Sequence, residues 1–514
     1  MIILVHNGKT VTSVLNEVLQ PIAGFELNNS IVKLLKIIAK KETNRLVVWC
    51  HDRLLDSLNI EAFSSIFHHE SLLVSFNTNT DHYLPKQIGY IERSFFLKVN
   101  KKVCYPTWLM SSHVGGINTT ILNDINVPLN NNVPFDYFLN SLAKNNMVEG
   151  LFCYSEPKLL KANHELKINT PKASKQMLFK FVKQHYKWVW VFLLAWNYAV
   201  FERKISVYNI IISLFYKRLN SNFNLEKVAV NSSKNVLQEK SIDVIIPTIG
   251  RKKHLYNVLK DLAHQTHLPK NVIIVEQNPK PNSISELEYL NSEVWPFNIK
   301  HEFTQQPGVC NARNIALLKI ESEWAFLADD DIRFNTTFFE ESFNDIKTYG
   351  IKILNYLCLQ PEQEQTYFKI HQTTVFGSGS SLVKSELLEN IKFNMAYEFG
   401  FGEDSDFGMQ LRNKGEDVIF TPNLKITHLK APFGGYRTKV KHLWEEEEVQ
   451  PKPSPTVQLL YQTYFTKQQM LGYKLLLFLR QLKGSGLKNP VAYAKYFKKQ
   501  WQQSVLWCQK IKKE

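Results

Sequence analysis

The chain has 514 residues, of which 44 % are hydrophobic and 21 % are charged. Because domains usually hold about 100–200 residues, this length predicts two or three globular units. The formal net charge is +15, which suits nucleic acid, an anionic membrane surface or phosphorylated small molecules as partners. The sequence has no zinc-finger spacing, no RNA-binding aromatic strand motif and no long basic arm, so we expect no nucleic acid partner.

Cysteine spacing and hydropathy indicate the cellular compartment in which the protein works. The six cysteines stand far apart and form no CxxC pair; a disulfide framework or a zinc site needs clustered cysteines, so a reducing cytosol is the simpler interpretation. The N-terminal stretch MIILVHNGKT becomes polar too early for a signal peptide. The most apolar run, residues 188–201, is followed at once by Glu202 and is shorter than the roughly 20 residues that cross a bilayer. We predict a cytoplasmic protein without a transmembrane helix.

Composition changes along the chain and predicts four regions. Near the N-terminus, the apolar runs RLVVWC ending at Cys50 and SLLVSF ending at Phe76 are typical of short buried strands. Basic and aromatic helical patterns follow, then a polar stretch that fits a linker. The predicted regions are an α/β domain over residues 1–170, a basic aromatic helical segment with its linker over 171–240, a second α/β domain over 241–440, and a basic helical tail over 441–514.

Two segments combine aromatic residues with Lys and Arg. The first runs from Gln176 to Arg218 and includes Trp188 and Trp196, and the tail repeats the pattern in YAKYFKKQWQQSVLWCQKIKKE. Such helices can lie in a membrane interface with their cations on anionic head groups. They can equally form a helical layer packed on the domains, and the sequence leaves both interpretations open. The acidic run from 445 to 448 is interpreted as a solvated connector.

From about Ser241 the chain alternates strand and helix patterns. IDVIIP, NVIIVEQN and WAFLA read as strands, and NARNIALLKI as a helix. Apolar residues at Leu255, Val258, Leu259 and Leu262 have helical spacing. Repeated βαβ units predict a parallel sheet with helices on both faces. Ligands collect at the carboxyl ends of the strands in such sheets, where this sequence has Thr248, Glu276 and Asp329–Asp331.

Three consecutive carboxylates, Asp329, Asp330 and Asp331, end the strand WAFLA. Like charges packed at a strand end repel one another and usually need a cation. An all-oxygen cluster suits Mg²⁺ or Mn²⁺, which can bridge a nucleoside diphosphate and neutralise the leaving group. The alternative is a helix N-cap or a solvated turn, but the position of the cluster within βαβ repeats favours a metal site.

A second acidic cluster, Glu403, Asp404 and Asp406, opens a helical pattern. Acidic residues stabilise helix N-termini, so capping is one interpretation. The other makes Asp404 a general base that accepts the proton of an attacking hydroxyl. Farther on, His428 is either a structural histidine or an imidazole metal ligand. The glycines of FGSGSSLV, Gly377 and Gly379, would let the backbone approach a sugar ring closely.

Five motifs in this order resemble glycosyltransferase family 2, whose members have the GT-A fold. VIIPTIGR resembles the opening strand of the family, and HQTHLPKNVIIVEQN its second strand with an acidic base-reading residue. QQPGVCNARNIAL resembles the helix beside the diphosphate, and WAFLADDDIRF the DxD strand. FGEDSDFGMQLRNKGEDVIFTPNLKITHL resembles the stretch with the catalytic base and a metal-binding His. Together the motifs cover nearly all of residues 241–437, under half of the chain.

The resemblance implies a Rossmann-like domain that binds a nucleotide-diphospho-sugar and a divalent metal, Mn²⁺ or Mg²⁺. It implies Asp404 as the base, with Glu403 beside it for the acceptor hydroxyls. By position, the metal ligands would be Asp331, Asp329 and His428. Acceptor contacts would come from Gly377, Ser378, Gly379 and Glu403. The nucleotide sugar would be bound by Pro247, Thr248, Arg251, Glu276, Gln277, Arg313, Asp329 and Asp330.

Some positions depart from the family pattern. Glu276 replaces the usual Asp, Gln277 stands where many members have a second Asp, and Ala328 precedes the carboxylates where some members have another. These departures leave the nucleotide base and the exact set of metal ligands open. The family inverts the anomeric centre in a single displacement, so one base and one metal suffice and no covalent nucleophile is needed.

A weaker echo of these motifs occurs in the N-terminal region. HVGGINTTIL resembles FGSGSSLVKSELL, NVPFDYFLNSLAK resembles FGEDSDFGMQLRNKG, and GLFCYSEPKLL resembles DVIFTPNLKI, in the same order. Asp136 occupies the position of the base, but no DDD or DxD precedes it. We expect a degenerate GT-A-like domain that has lost its metal site; chance similarity of short apolar strings and a second active transferase domain are the alternatives.

The sequence therefore predicts an inverting glycosyltransferase whose donor is a nucleoside-diphosphate sugar. Its acceptor would be a glycan, which can be lipid-linked, in surface polysaccharide or lipopolysaccharide synthesis at the inner face of the cell membrane. A non-catalytic scaffold of a glycan-assembly complex is the alternative from another class. A sugar nucleotidyltransferase is a second enzymatic alternative, but it predicts a glycine-rich opening after the first strand, and PTIGRKKH has too few glycines.

Overall fold

The computed structural model describes residues 1–125, 129–161, 168–169, 171–220, 223–224, 228–432, 440–482, 484, 486 and 489–512. The predicted end of the transferase motifs, at residue 437, lies outside them. The chain forms two compact units. Unit 1 consists of residues 1–234 and 465–481, and unit 2 consists of residues 235–464 and 482–514. The basic tail that the sequence predicts as one region therefore contributes helices to both units.

Strands and helices are numbered in chain order. The strands are β1 (Ile2–His6), β2 (Val11–Leu15), β3 (Leu46–His51), β4 (Leu72–Phe76), β5 (Tyr105–Pro106), β6 (Val114–Asn118), β7 (Phe152–Ser155), β8 (Ile242–Thr248), β9 (Asn271–Gln277), β10 (Asn298–Thr304), β11 (Trp324–Ala328), β12 (Ile332–Arg333), β13 (Ile353–Leu359), β14 (His371–Gln372), β15 (Ser380–Lys384) and β16 (Ile419–His428). The helices are α1 (Ile31–Lys41), α2 (Phe63–Ile66), α3 (Thr119–Asp124), α4 (Phe135–Asn146), α5 (Lys175–His185), α6 (Val189–Glu202), α7 (Val207–Leu214), α8 (Lys252–Ala263), α9 (Tyr289–Ser292), α10 (Val309–Leu317), α11 (Phe338–Tyr349), α12 (Glu403–Asn413), α13 (Pro455–Tyr464), α14 (Lys467–Leu482) and α15 (Pro490–Ile511).

Unit 1 is an α/β unit built on a seven-stranded sheet with the order β2-β1-β3-β6-β4-β7-β5. The pairs β1–β3 and β4–β7 are parallel, and β6 runs antiparallel to both of its neighbours. Helix α1 shows why its sequence forms a helix here: Ser30 caps its N-terminus by accepting a hydrogen bond from the Lys33 amide. The apolar residues of α1 bury one face in the core of the unit, which also includes side chains of α4, α5 and α6.

Unit 2 has a nine-stranded mixed sheet with the order β10-β9-β8-β11-β15-β13-β16-β12, and β14 pairs with β16. The four strands β10, β9, β8 and β11 are parallel, as the βαβ pattern predicts. The sheet is not wholly parallel, however, because β15 runs antiparallel to β11 and β13. Every residue of β8 and β9 is buried, which agrees with their continuous apolar sequences. On α8 the predicted face of Leu255, Val258, Leu259 and Leu262 is buried.

Six strands of the two sheets correspond in sheet order and direction, and they differ in chain order at one edge strand: β5 follows β4 in the chain, whereas β12 precedes β13. The run β1-β3-β6-β4-β7-β5 of unit 1 matches the run β8-β11-β15-β13-β16-β12 of unit 2, and each pair of neighbours has the same parallel or antiparallel sense. The predicted echo falls on matching elements, since its three strings lie on β6, α4 and β7 in unit 1 and on β15, α12 and β16 in unit 2. The N-terminal α/β domain expected from the sequence is therefore present.

No helix among the described residues is long and apolar enough to cross a membrane. All six cysteines are free thiols.

Candidate active site

A cleft of about 400 Å³ opens in unit 2 at the carboxyl ends of β8 and β11 and the N-terminus of α12. Parallel strands end at this edge of the sheet, and loops there are free to present polar side chains. The cleft brings together residues from across the second half of the chain: Pro247, Thr248, Ile249, Arg251, Gln277, Pro307, Gly308, Val309, Arg313, Asp329, Asp330, Asp331, Ser378, Gly379, Glu398, Phe399, Glu403, Asp404, His428, Val440, His442 and Glu445.

Asp330 is held on one side of the cleft by residues that follow β8. The hydroxyl of Thr248 donates a hydrogen bond to Asp330 Oδ2 at 2.7 Å, and Arg251 Nη1 donates to Oδ1 at 2.7 Å. Burial raises the pKa of Asp330 to about 6, although Arg251 and Thr248 act to lower it. These contacts hold the carboxylate of Asp330 against Thr248 and Arg251, and the same Arg251 nitrogen also lies 3.2 Å from Asp331 Oδ2.

Asp329 faces the opposite side. Arg313 Nη2, on α10, donates to Asp329 Oδ1 at 2.8 Å. The backbone of Gly379 runs directly against this carboxylate, because a Cβ added at Gly379 would lie 2.3 Å from Cγ of Asp329. The sequence analysis expected this glycine to allow a close approach of a sugar; the close approach that the structure contains is to Asp329.

Asp329, Asp331 and His428 form the group that can hold a metal ion, since one ligand atom from each lies within 4.8 Å of the others. His428 is the last residue of β16 and pairs with Ile332. Because Ile332 directly follows Asp331 in the sequence, this pairing brings His428 to the site. Its Nε2 lies 3.2 Å from Asp331 Oδ1. Two carboxylates and an imidazole form a donor set suited to Mn²⁺ or Mg²⁺.

Asp331 has the properties of a metal ligand. Its Oδ1 is fully buried and lacks a hydrogen bond of good geometry, whereas Oδ2 accepts from the Ala431 amide at 2.8 Å. Burial acts to raise the pKa of Asp331, but His428, the Ala431 amide and Arg251 outweigh it and lower the pKa to about 2. The carboxylate is therefore ionised at neutral pH and has an oxygen available, so the residues present fit a divalent cation.

Asp404 and Glu403 form the first turn of α12 and line the cleft, with Glu403 buried and Asp404 partly buried. Both the backbone amide and the hydroxyl of Ser378 donate to Asp404 Oδ1. Burial raises the pKa of Asp404, and the neighbouring charge of Glu403 adds to this effect. Glu403 Oε2 accepts from the Gly402 amide at 3.0 Å. A carboxyl with a raised pKa, in the same cleft as Asp329, Asp331 and His428, is a chemically suitable proton acceptor.

Two of the predicted site residues are not among those lining the cleft. Glu276, at the end of β9, is bound within the protein: its Oε2 faces Ser285 Oγ at 2.5 Å and His301 Nε2 at 3.0 Å, and its Oε1 accepts from the Glu286 amide. The amide of Gly377 donates to the Asn355 side chain at 3.2 Å, in the turn before β15. All the other predicted site residues line the cleft. Their roles stay predictions.

The cleft also contains residues that the sequence analysis did not single out. Glu398 accepts hydrogen bonds from the Cys310 and Asn311 amides and so caps the N-terminus of α10. Gly308 precedes this helix with φ +138°, and its amide donates to Gln277 Oε1 at 2.6 Å. The sequence contains a signal for this turn, because Pro307 and Gly308 are adjacent and a Pro-Gly pair indicates a turn. Glu398 lies in a segment without helical or strand periodicity in its sequence, so no sequence pattern indicates that it caps α10.

The sequence predicts that the acidic run from 445 to 448 is a solvated connector, and Glu445, Glu446 and Glu448 are exposed, whereas Glu447 is partly buried. Residues Leu443–Glu446 form a 3-10 helix, and His442 and Glu445 line the cleft. Glu447 accepts hydrogen bonds from Trp507 Nε1 at 3.0 Å and from Gln503. These contacts join segments about 60 residues apart, so no local pattern could have indicated them.

The matching edge of unit 1 lacks the metal group. The pairing of β3 with β6 sets Cys50 opposite Val114, and the pairing of β11 with β15 sets Ala328 opposite Ser380. Beyond these pairs the sequence continues with His51, Asp52 and Arg53 in unit 1 and with Asp329, Asp330 and Asp331 in unit 2. Arg53 therefore corresponds to Asp331 by sequence count, although Asp52–Ser57 form a 3-10 helix and β12 follows Asp331. Within the described residues, Asp329, Asp331 and His428 are the group found with metal-ligand spacing.

One feature of the site is repeated in unit 1. The amide and hydroxyl of Ser112 donate to the two oxygens of Asp136 at 2.9 and 2.8 Å, as Ser378 does to Asp404. Each serine lies two residues before the matching strand, β6 or β15. The two units therefore share this Ser–Asp pair as well as the sheet order, and they differ at the strand end that carries the metal ligands.

Comparison with known proteins agrees with the site. Residues 243–405 match the family described as glycosyl transferase family 2. This segment contains the strand end with Asp329 to Asp331 and the start of α12 with Asp404. No curated protein matches the chain at a significant level.

Solved structures give distant similarities. S. aureus TarS is 18 % identical over 36 % of this chain and 36 % of its own, with a TM-score of 0.31, so the match spans about a third of that protein. TarS 1-349 in complex with UDP-GlcNAc is 17 % identical over 51 % of this chain and 72 % of its own, with a TM-score of 0.33. GalNAc-T7 with UDP, GalNAc and Mn²⁺ is 13 % identical over 40 % of this chain and 48 % of its own, with a TM-score of 0.31. The similarity to a known family is therefore that of residues 243–405, within unit 2, to glycosyl transferase family 2.

Proposed function

We propose that unit 2 is a metal-dependent, inverting glycosyltransferase. It transfers a sugar from a nucleoside-diphosphate sugar to a hydroxyl of a glycan acceptor in surface polysaccharide or lipopolysaccharide synthesis. The observation that carries the proposal is the convergence, in one cleft, of Asp329, Asp331 and His428 with Asp404. The elements that supply them are far apart in sequence and lie in or next to the segment that matches the family.

The charges of the cleft support a diphosphate donor. A cation held by Asp329, Asp331 and His428 would neutralise the diphosphate and stabilise it as a leaving group. Arg251 and Arg313 lie beside these carboxylates and offer guanidinium groups that match phosphate oxygens. Thr248 and Gln277, at the ends of β8 and β9, border the same side of the cleft. We propose these four residues as contacts of the nucleotide part of the donor.

Asp404 supplies the base for the acceptor. In this mechanism the acceptor hydroxyl attacks the anomeric carbon, the bond from that carbon to the diphosphate oxygen breaks, and Asp404 takes the hydroxyl proton. Ser378 holds one oxygen of Asp404, which fixes the orientation of the carboxylate. Because one group attacks as the other leaves, a single displacement inverts the anomeric centre and needs no protein nucleophile. Glu403 and Gly379 lie beside Asp404 and would border the acceptor.

We infer that unit 1 is a non-catalytic relative of unit 2. The shared strand order and the Ser112–Asp136 pair support a common plan. The substitution of the strand-end carboxylates by His51, Asp52 and Arg53 removes the means to hold a cation. A structural role for unit 1 leaves the chemistry to the cleft of unit 2.

The test is calorimetric titration of UDP and GDP, with and without Mn²⁺, into the full chain and into Asp331→Ala. We expect metal-dependent binding of one of the two nucleotides, and we expect the substitution or a chelator to abolish it. Asp52→Ala is the matched control, because it removes a carboxylate from the corresponding strand end of unit 1. The absence of binding by either nucleotide, with or without metal, would favour the non-catalytic scaffold.

A further inference from the structure

Helices α6 and α7 of unit 1 expose an unusual number of large apolar side chains. Both helices pack against α5 on one face. On α6, Val191, Leu194 and Tyr198 are buried in the core of unit 1. The outer face of a packed surface helix is normally polar. The outer faces of α6 and α7 are apolar instead. This is the surface that the sequence left open between a packed layer and a membrane interface.

The exposed residues form two stripes at helical spacing. On α6 the stripe is Trp188, Phe192, Trp196 and Val200, each four residues from the next, and Trp196 is 49 % exposed. On α7 and the residue after it, Ile211 and Phe215 continue the pattern, and Phe215 is 81 % exposed. Residues four apart share one face of a helix, so each stripe is continuous. We call these residues the α6–α7 surface.

Cations surround the α6–α7 surface. Lys187 and Lys217 are exposed at the ends of the segment, and Arg203 and Lys204 are exposed at the turn between the two helices. The single acidic residue between positions 187 and 218 is Glu202. Glu202 accepts hydrogen bonds through Oε1 from Gln87 at 2.7 Å and from Tyr90 at 3.1 Å, and its Oε2 lies 3.9 Å from Lys204 Nζ. The surface therefore combines aromatic and aliphatic groups with an excess of positive charge at its ends and at the turn between the helices.

The combination of exposed apolar side chains and cations distinguishes between possible binding partners of the α6–α7 surface. A second copy of the chain, docked symmetrically, would bring its own exposed cations against these cations, and like charges repel across an interface. An anionic bilayer satisfies both features, because Trp and aliphatic side chains enter the head-group region while Lys and Arg meet lipid phosphates. Helix α6 has 14 residues, too few to span a bilayer, so it would lie in the interface rather than cross it.

We propose that the α6–α7 surface docks unit 1 onto an anionic lipid bilayer. This inference goes beyond the proposed transferase activity of unit 2 and does not depend on it. If both hold, the chain works at a membrane surface, where lipid-linked acceptors present their sugars.

The experiment is flotation of the full-length chain with phosphatidylcholine vesicles and with vesicles that also contain phosphatidylglycerol. We expect strong flotation with the anionic vesicles and a decrease at high salt, since salt screens the charge component. The double variant Trp196→Ser/Phe215→Ser should lower the bound fraction by about tenfold, because it removes two of the inserting side chains. A Lys204→Glu/Lys217→Glu variant should lose the preference for anionic lipid.

The matched control is Val294→Ser/Leu318→Ser, which removes two apolar side chains that are 100 % and 88 % exposed in unit 2. It should float like the wild type. Equal flotation of the wild type and Trp196→Ser/Phe215→Ser would overturn the proposal, as would the absence of flotation with either vesicle. A dimer in sedimentation that this variant dissociates, without vesicle binding, would assign the surface to a second copy. Nucleotide binding measured without lipid reports separately on unit 2.

Discussion

At the scale of single residues, the chemistry of the cleft depends on the protonation of Asp404. Its carboxyl is partly buried, Ser378 donates a hydrogen bond to it, and its pKa is raised by desolvation and by the charge of Glu403. A base must be ionised to accept a proton, so activity should be lost as the pH falls through this raised pKa. The acidic limb of the kcat/KM profile should therefore lie at higher pH than for an ordinary aspartate.

Asp404→Asn tests this role. The amide is nearly isosteric and keeps an oxygen to accept from Ser378, but it cannot take a proton. We expect turnover of the bound nucleotide sugar to fall by about 10²–10⁴-fold, with the affinity for the nucleoside diphosphate unchanged within about twofold. Both are measured on the same preparation, by diphosphate release and by calorimetry. Retention of turnover with the same acidic limb would assign the base to another group.

Gly379 gives a second prediction, on geometry rather than charge. A Cβ at this position would lie 2.3 Å from Cγ of Asp329, so Gly379→Ala must displace that carboxylate from the ligand group. We expect metal-dependent nucleotide affinity to fall by about tenfold or more, as small displacements of a binding group do, while the net charge is unchanged.

The matched control for this prediction is Gly377→Ala. Its Cβ would meet Ser380 Oγ and Asn355 Oδ1 and not a proposed metal ligand. Both Gly377→Ala and Gly379→Ala crowd the turn before β15, but only Gly379→Ala places its Cβ against Asp329. Equal losses of metal-dependent affinity in the two variants would mean that general distortion of the turn, and not displacement of Asp329, causes the effect.

At the scale of elements, the structure follows local patterns where those patterns were strong. The strands β8, β9 and β11 and the helix α8 are confirmed, because continuous apolar runs and helical spacing determine them locally. Helix α10 begins at Val309, before the predicted segment NARNIALLKI. The cap of this helix comes from Glu398, far along the chain, and a distant cap leaves no local signal.

The start of α10 supports a prediction about that helix. Gly308 has φ +138°, which L side chains rarely adopt, and a Cβ there would lie 2.3 Å from Glu398 Oε2. Gly308→Ala should therefore destabilise the N-terminus of α10 by about 1–3 kcal/mol and disturb Arg313 on the same helix. Faster hydrogen exchange of α10 peptides and weaker nucleotide binding are the expected results.

Gly250→Ala is the comparison variant for α10. Gly250 also has a positive φ, +62°, but a Cβ there would meet nothing within 4 Å. In Gly250→Ala the alanine is penalised only for adopting the left-handed backbone conformation, which costs about 1–2 kcal/mol of folding free energy. Hydrogen exchange in α10 should therefore be unchanged. If the two variants affected α10 equally, the contact with Glu398 would have no part in starting the helix.

At the scale of the whole molecule, two units share a sheet plan, but one of them has the ligands for a metal. Counted along the sequence from the matching ends of β3 and β11, Arg53 corresponds to Asp331, and a cation at that position would repel a second metal ion. We therefore expect calorimetry to give one metal-dependent nucleotide site per chain. Two sites per chain, or a site that survives Asp331→Ala, would favour the alternative of a second active transferase domain.

The sequence by itself determined the α/β class, the alternating elements of unit 2, the buried face of α8 and the order of the motifs, because these depend on residues close together in the chain. It also indicated Asp329, Asp331, Asp404 and His428 as candidates. The tertiary structure decided the rest. Only folding could bring His428 to 3.2 Å from Asp331, turn Glu276 toward His301 and add Glu398 and Glu445 to the cleft, since each contact joins elements whose separation in sequence carries no periodic signal. The antiparallel direction of β15, the division of the tail between two units and the exposed faces of α6 and α7 were likewise decided by packing, because burial depends on which neighbours an element finds.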